Sequence, residues 1–159
     1  MKNKIITLVI GIVAGALLAG IAMVSVMPKM MIHERRSPLG YTETIEQIAT
    51  AVTNGGWIVA QRKDMQKSIA PYGKTIPPVM LLKICQADYA SRILNTDDSM
   101  FVSVMMPCTI AVYQKSDGNT YVSTMNTGLM GKMFGGVIAE VMAGPVSADE
   151  AKFTEFLNR

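Results

Sequence analysis

A charge-free apolar run near the start of the chain constrains the fold most. Residues 5–26 contain no charged side chain, and only Thr7 and Ser25 among them carry a hydroxyl group. As an α-helix, these 22 residues extend about 33 Å, which matches the roughly 30 Å hydrocarbon core of a bilayer. We therefore expect a single N-terminal transmembrane helix. The remainder of the 159 residues has room for one ordinary domain.

Two interpretations of this run remain open, an uncleaved anchor and a cleavable signal peptide. The apolar core of a signal peptide usually has about 7–15 residues, fewer than here, although a Gly-Ile-Ala step at residues 20–22 resembles a cleavage site. We favour an anchor over residues 1–27. Lys2 and Lys4 precede the run, and the positive-inside rule keeps them in the cytoplasm. The expected localisation is the cytoplasmic membrane, single-pass, with the C-terminal domain in the periplasm or outside.

Charge outside the run is nearly balanced. Without Lys2 and Lys4, 13 basic side chains stand against 12 acidic ones. The basic residues are scattered and do not alternate with aromatic ones, so no nucleic-acid partner is predicted. Small residues spaced four apart, at Gly11, Gly15 and Ala19, favour pairing with another helix. The expected partners are the membrane and either further copies of the chain or a membrane protein complex.

Strands and helices alternate in the predicted domain. Strands are expected at residues 30–37, 57–63, 79–85, 100–106, 109–115 and 120–125. Helices are expected from Thr42 to Asn54, at 88–94, from 127 to 142, and from Ser147, where S-A-D-E matches a capping box. The predicted class is α+β, with a small mixed or antiparallel sheet, helices on one face and a C-terminal helical pair. Residues 28–144 would form this domain, and residues 145–159 a helix packed on it.

Two segments of the predicted sheet have distinctive patterns. Residues 79–85 are apolar on both alternating faces except at Lys83, which is typical of a central strand covered on two sides. The S-D-G-N sequence at residues 116–119 readily supplies the positive-φ residues of a tight turn, so it predicts a hairpin. The strand before the hairpin is expected to pair beside residues 79–85.

Three segments carry a resemblance to a known family. They are G-G-W after the first helix, V-M-L-L-K-I-C-Q-A-D-Y-A, and M-M-P-C-T-I-A-V-Y-Q-K-S-D-G-N-T-Y-V-S-T-M-N. Over roughly residues 31–131 the chain resembles the domain-of-unknown-function 302 family of bacteria and archaea. The resemblance implies a compact α+β domain, often dimeric, with no established reaction. It matches Cys85 and Cys108 to cysteines frequent in that family, whereas Thr109 stands where an anion-binding arginine is frequent.

No catalytic constellation is evident. His33 is the one histidine in the chain, so a Ser/His/Asp or Cys/His site would have to recruit it from the first predicted strand. Gly135 and Gly136 lie within a predicted helix rather than in a phosphate-binding loop after a strand. The adjacent carboxylates Asp97 and Asp98 fall in a polar turn. The sequence therefore does not predict an enzyme.

The two cysteines, Cys85 and Cys108, allow three interpretations. Both end up at the same end of the predicted sheet, where a disulfide in an oxidising compartment would stabilise the domain by roughly 3–4 kcal/mol. Free buried thiols are equally compatible with their apolar neighbours. The third interpretation is a metal site.

Methionine is unusually frequent, with 14 residues. Thioether and thiolate sulfur, with imidazole, are ligands suited to Cu(I) or haem iron. The candidate ligands are Cys85, Cys108, Met105, Met106, Met125 and His33. Core packing is the more frequent role of methionine.

Two functional hypotheses follow. The first is a membrane-anchored extracytoplasmic accessory or structural subunit without catalysis of its own, which self-associates or joins a membrane complex through the span and the predicted helix at residues 127–142. The second is a periplasmic protein that binds copper or haem through the cysteines and methionines. Absorbance and metal content of the purified protein would separate them.

Overall fold

The apolar run lies in α1 (Lys2–Met31), which extends past the predicted end of the span and contains Pro28. The computed structural model describes residues 2–158, without the side chains of residues 2–10, 13, 14, 19 and 22. Among the described residues, no helix is long and apolar enough to cross a membrane. Met1 and the side chains that open the predicted span lie outside the described residues.

Five strands form one sheet in which all neighbours are antiparallel. They are β1 (Ile32–Arg36), β2 (Ile58–Asp64), β3 (Val79–Cys85), β4 (Cys108–Gln114) and β5 (Thr120–Met125). The order is β1-β5-β4-β3-β2. The predicted α+β class with an antiparallel sheet is confirmed.

The strand at the centre of the sheet is β4, and the expectation that β3 is central and covered on both faces is wrong. In β3, Leu82 and Ile84 are fully buried, whereas Leu81 and Lys83 on the alternate face are only half-buried. The same alternation continues in β4, where Ile110 and Val112 are fully buried. One face of the sheet therefore holds the core and the other is open.

The β4–β5 hairpin forms at the predicted turn. Gly118 has a φ of 76°, a conformation that glycine adopts without steric cost. The Asp117 carboxylate accepts a hydrogen bond from the Asn119 amide at 2.9 Å. This turn sets the register in which Tyr113 faces Tyr121.

The predicted first helix is present as α2 (Tyr41–Asn54). Its predicted apolar stripe, Ile45, Ile48, Ala49 and Val52, is buried. The N-cap is Gly40 rather than Thr42, and the Glu43 carboxylate accepts a hydrogen bond from the Gly40 amide at 3.3 Å.

Two short helices connect the middle strands. α3 (Met65–Ile69) follows β2 and leads into a 3₁₀ turn at Ala70–Tyr72. α4 (Ala87–Leu94) follows β3, and the Gln86 side chain accepts a hydrogen bond from the Tyr89 amide at its start. α4 occurs where the sequence predicts a helix at residues 88–94.

The strand predicted at residues 100–106 is wrong, because Asp97–Met105 forms a 3₁₀ helix. Its buried residues, Ser99 and Val102, are three apart, which matches the three-residue period of this helix. Phe101 and Val104 are exposed. The apolar run lacks the alternation of a half-buried strand, and its buried residues instead recur every three residues.

The C-terminal region is a bent helical array. It comprises α5 (Thr127–Phe134), α6 (Gly136–Val141), a kinked segment at Met142–Val146 in which Gly144 has non-helical backbone angles, α7 (Ser147–Phe153) and a 3₁₀ turn at Glu155–Asn158. The continuous helix predicted from 127 to 142 is interrupted at Gly135, whose φ is 72° and ψ −171°. The predicted capping box is also wrong, because Val146 is already helical and no side chain caps α7.

The core lies between the buried sheet face, α2 and the C-terminal helices. Ile84, Ile110 and Val122 from the sheet belong to the same cluster as Val141 and Phe153. Trp57 contributes its indole ring, which meets the Phe153 ring edge-to-face at 5.6 Å. The last helices are thus an integral part of the domain.

Candidate functional site

A polar cavity of about 530 Å³ lies at the sheet edge where β1 and β5 meet the end of α1 and α7. Its charged and hydroxyl-bearing lining residues are Lys29, His33, Glu34, Arg35, Thr124, Thr127, Ser147, Glu150 and Thr154. We call it the β1 cavity. Small-molecule sites commonly measure about 300–1,000 Å³, so a compact ligand fits.

Strand alternation directs two basic side chains of β1 toward this cavity. His33 pairs with Thr124 and Arg35 with Val122, and both partners lie on the buried face of the sheet. The Arg35 guanidinium donates to Thr154 Oγ1 at 2.5 Å and to Asn158 Oδ1 at 2.9 Å. Arg35 is therefore held in place by the C-terminal turn.

Glu150 is the buried acid of the β1 cavity, with 6% of its surface exposed. Thr127 Oγ1 donates a hydrogen bond to Glu150 Oε2 at 2.7 Å. Burial raises the pKa of Glu150 to about 7, and the Thr127 hydrogen bond opposes that rise. A carboxyl group in this range exchanges protons near neutral pH, which is a property of many functional sites.

The rim of the β1 cavity carries positive charge. Lys29 and Arg35 form no ion pair within the part of the chain that the structure describes. Glu34 also borders the cavity, but its carboxylate accepts hydrogen bonds from Tyr113 and from Lys115, the latter at 2.7 Å. The acid that remains for a ligand is Glu150, so the arrangement favours an anionic or polar molecule over a cation.

Four of the predicted sulfur ligands line a second, apolar cavity of about 50 Å³. They are Cys85, Met105, Met106 and Cys108. Met125 and His33 border the β1 cavity instead. The six candidate ligands therefore divide between two cavities.

Cys85 and Cys108 lie at the same end of the sheet, as predicted, and both line the apolar cavity. Cys108 pairs with Ile84, the residue before Cys85. Both thiols are free. Burial raises the pKa of Cys108 to about 12, and the charges of Glu150 and Cys85 add to the rise.

The described residues contain no group of three or more His, Cys, Asp and Glu side chains arranged to hold a metal ion. A metal in the apolar cavity would therefore need thioether ligands from Met105 or Met106. Thioether sulfur and the sulfur of a deprotonated thiol are soft ligands suited to Cu(I). A haem is far larger than this cavity.

Sequence reasoning missed Glu150, Thr127 and Arg35 as site residues. One signal was present, because Glu150 occupies a position of the apolar stripe formed by Val146 and Phe153, four residues before and three after it. An acid in such a stripe faces the core. The partners of Arg35 lie more than one hundred residues away in sequence, at separations of 119 and 123, and no local pattern reveals them.

Comparisons with known proteins find a family model and a solved structure that are similar to this chain. The family model described as "Domain of unknown function DUF302" matches residues 33–156. A solved structure titled "Crystal structure of uncharacterized conserved protein DUF302 from Bacillus stearothermophilus" is similar, with a TM-score of 0.69 and 21% sequence identity over 80% of this chain and 98% of that one. At this identity the likeness shows the fold alone. Comparison with curated proteins gives no match.

The family match begins in β1 and continues past α7, so it contains the elements that build the apolar cavity and most of those that build the β1 cavity, whose Lys29, Ile32 and Asn158 lie outside it. It also extends beyond residue 131, where the resemblance seen in the sequence ended. More than half of the chain lies within the match. The chain therefore belongs to the DUF302 family, a family defined by a domain of unknown function.

Proposed function

We propose that this protein is a membrane-anchored extracytoplasmic accessory subunit, without catalysis of its own, that associates with a second copy of itself. The anchor is α1 and the domain is the DUF302 fold. The observation that carries the proposal is an exposed apolar patch on the domain. It consists of Met100, Phe101, Val104, Met133 and Phe134.

The patch consists of strongly exposed apolar side chains. Val104 is 86% exposed and Phe101 60% exposed. The Phe101 and Phe134 rings meet edge-to-face at 5.7 Å, which presents them as one apolar surface. Contiguous exposed apolar surface commonly marks an interaction site. The dimers that are frequent among proteins this chain resembles favour a second copy as the occupant.

The composition of α1 supports the anchor. Leu18, Ile21 and Val24 are 68%, 64% and 75% exposed, so the domain does not cover them. Burying one such side chain in lipid or against another helix is favourable by about 1.5–3 kcal/mol. The charge-free run of residues 5–26 extends this apolar surface toward the N-terminus, and Lys2 and Lys4 favour a cytoplasmic start.

The patch is tested by the mass of the detergent-solubilised full chain, measured by light scattering after size exclusion. We expect the wild type to be a dimer at micromolar concentration, and Phe101→Asp and Val104→Asp to be monomers with unchanged circular dichroism. Tyr72→Asp, at a residue that is 81% exposed outside the patch, is the matched control and should remain dimeric. A monomeric wild type would overturn the self-association proposal.

A second candidate function is Cu(I) binding in the apolar cavity. It is supported by the convergence of Cys85, Cys108, Met105 and Met106 there. The full chain, reduced and loaded with Cu(I), should retain stoichiometric copper after desalting, and Cys108→Ser should lose it. Met125→Leu, outside this cavity, is the control. Equal copper retention in wild type and Cys108→Ser would exclude this site.

A further inference from the structure

The β1 cavity presents three basic side chains from one short stretch of chain. Lys29 lies in the last turn of α1, and His33 and Arg35 follow on β1. Two N–H groups of the Arg35 guanidinium are used by Thr154 and Asn158. Guanidinium has five N–H donors, so three remain for a ligand while the group is already oriented. Such a preorganised fork suits a phosphate or carboxylate.

The buried end of the cavity holds the Glu150 carboxyl group. Its Oε2 accepts the Thr127 hydrogen bond, and the described part of the chain provides no other hydrogen bond to this carboxyl group. The described residues include no fully buried side-chain oxygen without a partner, so the second oxygen of Glu150 keeps some exposed surface, and Glu150 lines the cavity. A protonated carboxyl group donates a hydrogen bond to an anionic oxygen, whereas a carboxylate repels it.

We propose that the β1 cavity is a binding site for a small molecule that carries a phosphate group. Arg35, assisted by Lys29 and His33, binds the phosphate, and Glu150 donates a hydrogen bond to it in the protonated form. Two cationic side chains, Lys29 and Arg35, with the His33 imidazole around the same space match a group with two negative charges and three terminal oxygens better than a single carboxylate.

The phosphate has two possible sources, a soluble phosphate ester or a phospholipid headgroup. The cavity lies where α1 passes into β1, so an anchored α1 would set it beside the membrane surface. The soluble source depends only on the cavity. The headgroup source depends in addition on the proposed anchor.

Binding is measured by calorimetry on the full chain in a non-ionic detergent. The probes are glycerol 3-phosphate and a short-chain phosphatidylglycerol, with succinate as the carboxylate comparison. We expect saturable binding of at least one phosphate probe and weaker binding of succinate. Arg35→Gln should weaken the phosphate affinity about tenfold or more, Arg35→Lys by less, and Lys29→Gln by less than Arg35→Gln.

Protonation of Glu150 provides an independent signature. The ratio of wild-type to Glu150→Gln affinity should fall as pH rises from 6 to 8, by up to tenfold per pH unit above the pKa of Glu150, because the variant stays neutral. This ratio cancels the titration of the phosphate itself. The other titratable or charged groups around the carboxyl are His33, Lys29, Arg35, Glu34 and Cys108, and His33→Gln removes the histidine contribution.

Each outcome decides the proposal. Binding of glycerol 3-phosphate supports a soluble ligand, and binding of the phospholipid alone supports a headgroup. Binding of neither probe, equal binding to Arg35→Gln with preserved thermal unfolding, or tighter binding of succinate overturns it. A chain that proves monomeric or unanchored would still bind glycerol 3-phosphate, so failure of the proposed function is distinguishable.

Discussion

Glu150 and Thr127 form a buried polar pair in the lining of the β1 cavity. Thr127 is 1% exposed and donates its hydroxyl to the carboxyl group of Glu150. Burial disfavours the charged carboxylate, because water no longer solvates it. In its neutral form the Glu150 carboxyl group needs fewer hydrogen-bond partners, so the hydrogen bond from Thr127 is sufficient at lower pH. The stability of the fold therefore depends on pH through the protonation of Glu150.

We predict that the wild type loses free energy of unfolding as pH rises from about 4.5 to about 7, and that Glu150→Gln does not show this loss. The folded pKa of Glu150, about 7, lies above its ordinary value of 4.5, so the folded state binds the proton more tightly and its stability falls as pH rises through this window. The difference corresponds to about 3 kcal/mol. Urea unfolding at several pH values measures it.

Glu155→Gln, at an exposed glutamate of the following turn, is the control for this prediction. Its unfolding free energy should keep the pH dependence of the wild type. A Glu150→Gln protein with the same dependence as wild type would show that Glu150 is solvated rather than buried.

Gly131 allows α5 to approach the kinked segment at Met142–Val146 closely. A Cβ atom at this position would lie 2.8 Å from the Ala143 amide nitrogen and 2.9 Å from Met142 Cβ. We predict that Gly131→Ala lowers the free energy of unfolding by about 1–3 kcal/mol, because backbone must move to accept the methyl group. Lys132→Ala, exposed on the same helix, should change it by less than about 0.5 kcal/mol. Chemical denaturation compares the two variants.

At the scale of elements, the 3₁₀ helix between α4 and β4 decides which apolar side chains are buried. Val102 is 1% exposed and Val104 is 86% exposed. In a strand these residues would share one face, because side chains alternate. In the 3₁₀ helix they do not, and Val104 is left on the exposed apolar patch.

Substitutions of Val102 and Val104 test directly whether this segment is a 3₁₀ helix or a strand. Val102→Ala should lower the free energy of unfolding by about 2 kcal/mol through lost burial and a residual cavity. Val104→Ala should lower it by less than Val102→Ala, since within one protomer the Val104 side chain is exposed and only the proposed contact with a second copy covers it. Thermal or urea unfolding of the two variants measures the contrast, and equal losses would indicate a strand.

At the scale of the whole molecule, α1 joins the domain through a small set of polar contacts. The Asn126 amide group donates to the Met30 carbonyl at 2.8 Å, and the Asn126 backbone amide donates to the Met31 carbonyl at 2.7 Å. α1 also packs against β1 and α5 near this junction. The end of α1 and the start of α5 therefore meet at the rim of the β1 cavity.

We predict that a reporter active only outside the cytoplasm, fused after Arg159, is active and remains in the membrane fraction. The basic N-terminus is held inside, and the apolar run stops in the bilayer. N-terminal sequencing should find Met1. The same fusion without residues 1–27 should be inactive, and a soluble product cut near Ala22 would establish a cleaved signal peptide instead.

Local patterns along the chain predict several elements correctly. The stripe of α2, the bounds of β3 and the turn at Gly118 follow from helical spacing, apolar alternation and an Asp-Gly step, which depend on neighbours in the chain. The family resemblance was also present in local segments. The 3₁₀ helix and the break at Gly135 were missed, because their apolar residues fit more than one period.

The residues of the candidate site come together only through contacts between segments that are distant in sequence. The sequence pointed to sulfur ligands as one set, but pairing of β1 with β5 places His33 and Met125 in the β1 cavity, apart from Cys85 and Cys108. The same pairing brings Arg35 to Thr154, 119 residues away. The pKa of Glu150 likewise depends on burial by distant elements. Contacts between remote segments arise from packing of the whole core, and no local spacing encodes them.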